Sequence, residues 1–124
     1  MLTKDTILYK RAFAFAIRIV RLHRVLAEEK KEYVLSKQCL RSGTSIGANI
    51  AEANGAISRA DFSLKISFAY KESLETKYWL SLLKETGYLS ERAFVSLCKD
   101  ADELSRILFS ILRTMRIKRA SPQA

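Results

Sequence analysis

Arg41-Ser-Gly-Thr-Ser-Ile-Gly-Ala-Asn-Ile-Ala-Glu-Ala-Asn-Gly55 is the stretch whose reading decides the fold. Ile46, Ile50 and Ala53 keep an apolar face at helical spacing, so the segment reads as helix and not as loop. Yet Gly43, Gly47, Ala51 and Gly55 recur at every fourth position. A glycine inside a helix costs roughly 1 kcal/mol relative to alanine. A helix that accepts this cost gains a bare backbone ridge against which a neighbour can lie closely. The stretch therefore predicts helices packed at short range.

The chain on either side is helical too. Residues 3–29 read as one long helix, in which Leu8, Ala12, Phe15, Ile19, Leu22 and Leu26 make a single apolar seam. Phe13, Ile17 and Val20 widen its apolar face beyond what one core needs, a hint of oligomer contact. The charged run Glu28-Glu29-Lys30-Lys31-Glu32 reads as a solvated connection to a second helix over residues 33–54. Asn54-Gly55 is its stop signal, since both residues tolerate the left-handed conformation that ends helices. Ser58, with Asp61 three residues later, starts a third helix over residues 59–86, and Gly87 ends it. Its seam is Phe62, Ile66, Ala69, Ser73, Thr76, Leu80 and Leu83, small and polar in the middle. The expectation is that the glycine ridge of the second helix meets Ala69 and Ser73 of the third. Ser90 caps a fourth helix over residues 91–118, in which Phe94, Leu97, Ala101, Leu104, Leu108, Ile111 and Met115 hold a heptad register. Residues 120–124 are expected to be a flexible tail.

The one proline, Pro122, interrupts no helix. Residues 1–119 are thus predicted to form a single all-α domain, an antiparallel up-down-up-down four-helix bundle. A 124-residue chain needs no staple to bury a core. Cys39 and Cys98 read as buried thiols of a reducing compartment, not as a disulfide. With a charged N-terminus and no long apolar run, a cytoplasmic protein without membrane contact is expected.

Catalytic readings fail for want of partners. A di-iron bundle needs Glu-x-x-His pairs, and the single histidine, His23, follows Val20 at that spacing. Ser42, Thr44 and Ser45 have no histidine base near in sequence. The glycines lack the strand-to-helix context and lysine of a phosphate loop. Neither an enzyme nor a metal or cofactor site is expected. Glu52, Glu72 and Glu75 are expected to pair with basic groups between helices. Tyr78-Trp79 is expected in the core or an interface, with base stacking the less favoured use.

Charge is the remaining signal. The formal net charge is +9, with +4 in residues 1–30, +2 in 31–60, zero in 61–89 and +3 in 90–124. Arg11, Arg18 and Arg21 lie opposite the seam of the first helix, and Arg106, Arg113, Arg116, Lys118 and Arg119 mark the fourth. In an up-down bundle these two helices are neighbours, so their basic stripes could merge into one phosphate-binding surface. A solvated cationic face explains the same residues, and cations near a helix C-terminus are favourable in themselves.

Several motifs, in order, add a resemblance. Val34-Leu-Ser-Lys-Gln-Cys-Leu-Arg-Ser-Gly-Thr-Ser-Ile-Gly-Ala-Asn-Ile-Ala-Glu-Ala53, Ser58-Arg-Ala-Asp-Phe62, Glu75-Thr-Lys-Tyr-Trp-Leu80 and Leu104-Ser-Arg-Ile-Leu-Phe-Ser-Ile-Leu112 resemble the bacterial four-helix-bundle proteins typified by products of intervening sequences in 23S rRNA genes. The resemblance implies an up-down bundle that assembles as a homopentameric ring. More distantly it extends to the accessory variability protein of diversity-generating retroelements, a ring that binds nucleic acid and a reverse transcriptase. It implies no catalytic residues. The expected function is non-enzymatic binding of RNA or DNA, structured RNA first, through the basic faces of the first and fourth helices. The alternative is a scaffold for a protein partner.

Overall fold

The structure, a computed structural model, describes residues 6–120, with side-chain surroundings through Arg116. It contains four helices, α1 (Ile7–Glu28), α2 (Leu35–Asn54), α3 (Arg59–Glu85) and α4 (Glu91–Ala120), and no strand among the described residues. Each helix packs on the next, and α1 closes onto α4 across the thinnest of the four contacts.

The helix starts follow capping chemistry. Thr6 is extended, at φ −68° and ψ 156°, and its hydroxyl accepts the Tyr9 N–H at 3.2 Å, so α1 begins at Ile7. The expected start at residue 3 lies outside the described residues. Ser58 accepts the Asp61 N–H at 3.0 Å, and Ser90 accepts the Ala93 N–H at 3.1 Å, as their positions predict.

The start of α2 is different from the expectation. Glu32, read as part of a solvated charge run, is buried. Its Oε2 accepts the N–H groups of Val34 at 3.1 Å and Leu35 at 3.0 Å, and its Oε1 accepts that of Ser36 at 2.7 Å. The Ser36 hydroxyl donates back to the Glu32 carbonyl at 2.8 Å. Burial alone would raise the Glu32 pKa, but the N–H groups of Ser36, Leu35 and Val34 outweigh it and hold the carboxyl below its ordinary value. Val34 and Leu35 are thus fixed by a carboxylate from the preceding turn. At the other end of α3, Gly87 takes φ +85°, and its N–H and that of Tyr88 donate to the Lys84 and Leu83 carbonyls at 3.1 and 2.9 Å. This pair of bonds closes the helix as a Schellman motif. Gly55 follows α2 as expected but at φ −102°, outside the left-handed region.

The core holds the predicted seams. All seven seam residues of α3, from Phe62 to Leu83, are buried. So are Leu8, Ala12, Phe15, Ile19 and Leu26 of α1, while Leu22 is half-buried. Two hydroxyl contacts cross the interior: Thr76 donates to Ser42 at 2.9 Å, joining α3 to α2, and Ser73 meets Ser105 at 2.7 Å, joining α3 to α4.

The glycine ridge points elsewhere than expected. A Cβ built on Gly43 would lie 2.8 Å from Ile19 of α1, and one on Gly47 would lie 3.7 Å from Ala12 of α1. These two glycines therefore admit α1, not α3. Ala51 is exposed, and Gly55 lies beyond the helix, so neither extends the ridge into the core. Ala69 is fully buried, but Ser73 serves the contact with α4. Cys39 and Cys98 are free thiols. No Cα of α2 comes within 8 Å of one in α4 among the described residues, too far for a disulfide to close. Burial, with Cys98 nearby, pushes the Cys39 pKa up to about 12.

Candidate nucleic-acid interface

The basic residues separate into neutralised and free groups. Arg11 pairs with Glu103 at 3.3 Å, and Arg18 pairs with Asp100 at 2.6 Å while donating to the Ser96 hydroxyl at 2.9 Å. Both α1 arginines are thus turned into the α1–α4 seam, where carboxylates of α4 cancel their charge. Arg106 faces the opposite flank of α4: it pairs at 2.9 Å with Asp102, which also holds Lys77 of α3 at 3.3 Å. The seam between α1 and α4 consequently carries acidic groups where the two stripes were expected to join.

Arg21, Arg113 and Arg116 are exposed and form no ion pair among the described residues. Arg116 lines an open pocket shared with the first turns of α3, where Arg59 stands. Sequence reasoning missed Arg59, because only the fold brings the start of α3 beside the end of α4. The side chains of Lys118 and Arg119 lie outside the described residues.

The carboxylates weighed for chemistry are occupied. Glu52 meets Lys65 at 3.0 Å. Arg41 spans Glu72, at 3.1 Å, and Glu75, so one guanidinium clasps α2 to α3. The Trp79 indole N–H donates to Glu75 at 2.8 Å and, with Arg41, keeps the Glu75 carboxyl below its usual range against the opposing effect of burial. Trp79 is half-buried beside Tyr78, which is exposed, with their rings edge-on at 5.0 Å. His23 is half-buried, with an Nδ1 that has no hydrogen-bond partner among the described residues. No three His, Cys, Asp or Glu side chains gather as metal ligands among the described residues, and no described helix is long and apolar enough to cross a membrane.

With the fold and its charges in place, the likeness to known proteins is specific. Residues 4–110 match the family described as 23S rRNA-intervening sequence protein. The chain belongs to this family. A crystal structure of a protein of unknown function from the S23 ribosomal protein family of Bacteroides thetaiotaomicron is 49% identical, covering 90% of this chain and 99% of that one, with a TM-score of 0.86. No curated protein matches. Family membership agrees with the four-helix architecture, and neither description assigns an activity to that relative.

Proposed function

We propose that this family member is a non-enzymatic bundle that binds nucleic acid, structured RNA above all, through the guanidinium groups left free at the end of α4 and the start of α3. The observation that carries this reading is that free arginines of two helices meet. Arg11, Arg18 and Arg106 are matched by carboxylates. Of the exposed arginines without an acidic partner among the described residues (Arg21, Arg24, Arg59, Arg92, Arg113 and Arg116), Arg59 of α3 and Arg116 of α4 line one shared pocket. A net charge of +9 supports the same reading. The interface is therefore centred on one end of the bundle instead of on merged faces of α1 and α4. A cytoplasmic setting suits the two free thiols.

A mobility-shift titration against RNA and DNA tests this. Affinity falls steeply with salt, and Arg113→Ala and Arg116→Ala each lower the salt slope by about 1, while Arg11→Ala and Arg18→Ala leave it nearly unchanged. Absence of binding to either nucleic acid at ~50 mM salt, where phosphate contacts are strong, sinks the proposal.

Helix contacts that run in reverse order support the up-down-up-down arrangement: Gly43 and Gly47 face Ile19 and Ala12, and Arg11 and Arg18 reach Glu103 and Asp100. An apolar strip on α1 favours self-association into a homopentamer, since Phe13 is 56% and Ile17 40% exposed. The same strip favours the second reading, a scaffold for a protein partner. Light scattering that finds only the 14.1 kDa monomer refutes the ring, and a protein that stays bound through nuclease treatment, with no RNA affinity, selects the scaffold.

A further inference from the structure

The pocket between the first turns of α3 and the end of α4 has a volume of about 520 Å³, within the range of about 300–1,000 Å³ typical of small-ligand sites. Arg59 and Arg116 stand on its opposite helices, Ser63 and Ser67 line one wall, and Leu112 and Met115 supply an apolar surface. Among the described residues, no acidic side chain lines it. Asp61, the acid of the first turn of α3, is instead engaged by the Ile57 N–H at 3.2 Å.

Two features of the pocket have no structural use among the described residues. Arg59 places a cation in the first turn of α3, where the helix dipole disfavours positive charge, and it has no ion-pair partner there to offset this. Ser45, Ser81 and Ser105 satisfy their hydroxyls on the carbonyl four residues back, but the hydroxyls of Ser63 and Ser67 make no such bond. An anion between the two guanidiniums would satisfy the first, and further acceptors on the same ligand the second.

We infer that this pocket binds the terminal phosphate monoester of a nucleotide, with Arg59 and Arg116 forking onto the phosphate, Ser63 and Ser67 reaching the phosphate or ribose oxygens, and the base lying on Leu112 and Met115. A terminal phosphate is favoured over an internal diester because it carries about −1.5 to −2 charge at neutral pH, matching two arginines. Among the described residues the apolar lining is Leu112, Met115 and the small Ala60, an extent that suits a base and is short for an acyl chain. The nucleotide can be free or can be the 5′ end of an RNA strand. For the strand end alone, the inference rests on the nucleic-acid reading above.

The test uses the full chain and fluorescence anisotropy with one short RNA carrying either a 5′-phosphate or a 5′-hydroxyl, and separately titrates adenosine monophosphate by calorimetry. The 5′-phosphate is expected to bind about tenfold tighter than the hydroxyl, the scale of a lost charge-assisted contact. Arg59→Ala and Arg116→Ala each abolish that preference, whereas Arg106→Ala, at an ion-paired site on the same helix, retains it. Competition by adenosine monophosphate shows that the site also takes the free nucleotide, and a preference without competition assigns it to strand ends. Saturable nucleotide binding lost in Arg59→Ala, with no affinity for either RNA, upholds the pocket and removes the nucleic-acid function. Equal, salt-sensitive binding of both RNAs with no nucleotide binding overturns the pocket and leaves that function standing. A preference that survives both arginine substitutions overturns it as well.

Discussion

Replacing Gly43 with alanine sets helix propensity against packing, and the structure says which prevails. Within a helix the change gains roughly 1 kcal/mol from propensity. The new Cβ, however, would lie 2.8 and 2.9 Å from the two γ carbons of Ile19 and 3.2 Å from its Cβ. Carbon atoms pack best at about 3.5–4.0 Å, so the overlap approaches an ångström. Ile19 is fully buried and β-branched, which leaves it little freedom to rotate away. Overpacking of this kind costs about 1–3 kcal/mol, giving a net loss of roughly 0–2 kcal/mol for Gly43→Ala. Gly47→Ala is its control: the added carbon meets Ala12 at 3.7 Å, an ordinary contact, so the propensity gain of roughly 1 kcal/mol survives. The two variants should therefore differ from each other by about 1–3 kcal/mol, with Gly47→Ala above the parent and Gly43→Ala at or below it. Urea unfolding followed by circular dichroism, at one protein concentration because oligomers are concentration-dependent, reads this difference. In an Ile19→Ala background the Gly43→Ala penalty should shrink, since both γ carbons are gone. Equal stability of Gly43→Ala and Gly47→Ala, or an unchanged penalty in that background, refutes the claim that Gly43 exists to admit α1.

Two further outcomes follow from the helix ends. Glu32→Gln removes the charged cap of α2 and should cost about 1–2 kcal/mol at neutral pH. Because the folded pKa of Glu32 is lowered, its contribution is present above the unfolded carboxylate pKa and lost as pH falls through the folded one. The unfolding free energies of parent and Glu32→Gln should thus converge in acid, and curves that stay parallel contradict the cap. Gly87→Ala should cost roughly 1 kcal/mol, although nothing lies within 4 Å of the added carbon, because φ +85° strains any side chain there. Gly87→Asn should be milder, and equal thermal midpoints for Gly87→Ala and the parent would contradict the strain.

Periodicity made the helices and their buried seams readable, since a residue's own helix fixes which neighbours share its face. It could not say which helix that face meets. Gly43 and Gly47 were legible as a ridge but not as a ridge toward Ile19 and Ala12, because that depends on the rotation of α2 within the bundle. The same rotation decides the fate of the arginines. Arg11 and Arg106 look alike on a helical wheel, yet Glu103 and Asp102 answer them on opposite flanks of α4. Glu32 was missed for a different reason: a carboxylate in a charged run looks solvated until the backbone turns back over it. Arg59 gave no local signal, as its meaning comes from Arg116, far away in sequence.

The hydroxyls that cross the interior have a consequence for alignment. Heptad seams of aliphatic residues tolerate sliding by a turn, because one leucine replaces another. Ser42 with Thr76, and Ser73 with Ser105, mark single positions along α3 against α2 and against α4. A slip of one turn would forfeit both interhelix bonds, about 0.5–1.5 kcal/mol each, and push bulkier side chains into a gap sized for serine. The two pairs act as a vernier on α3, selecting one setting from several that the apolar pattern alone would accept.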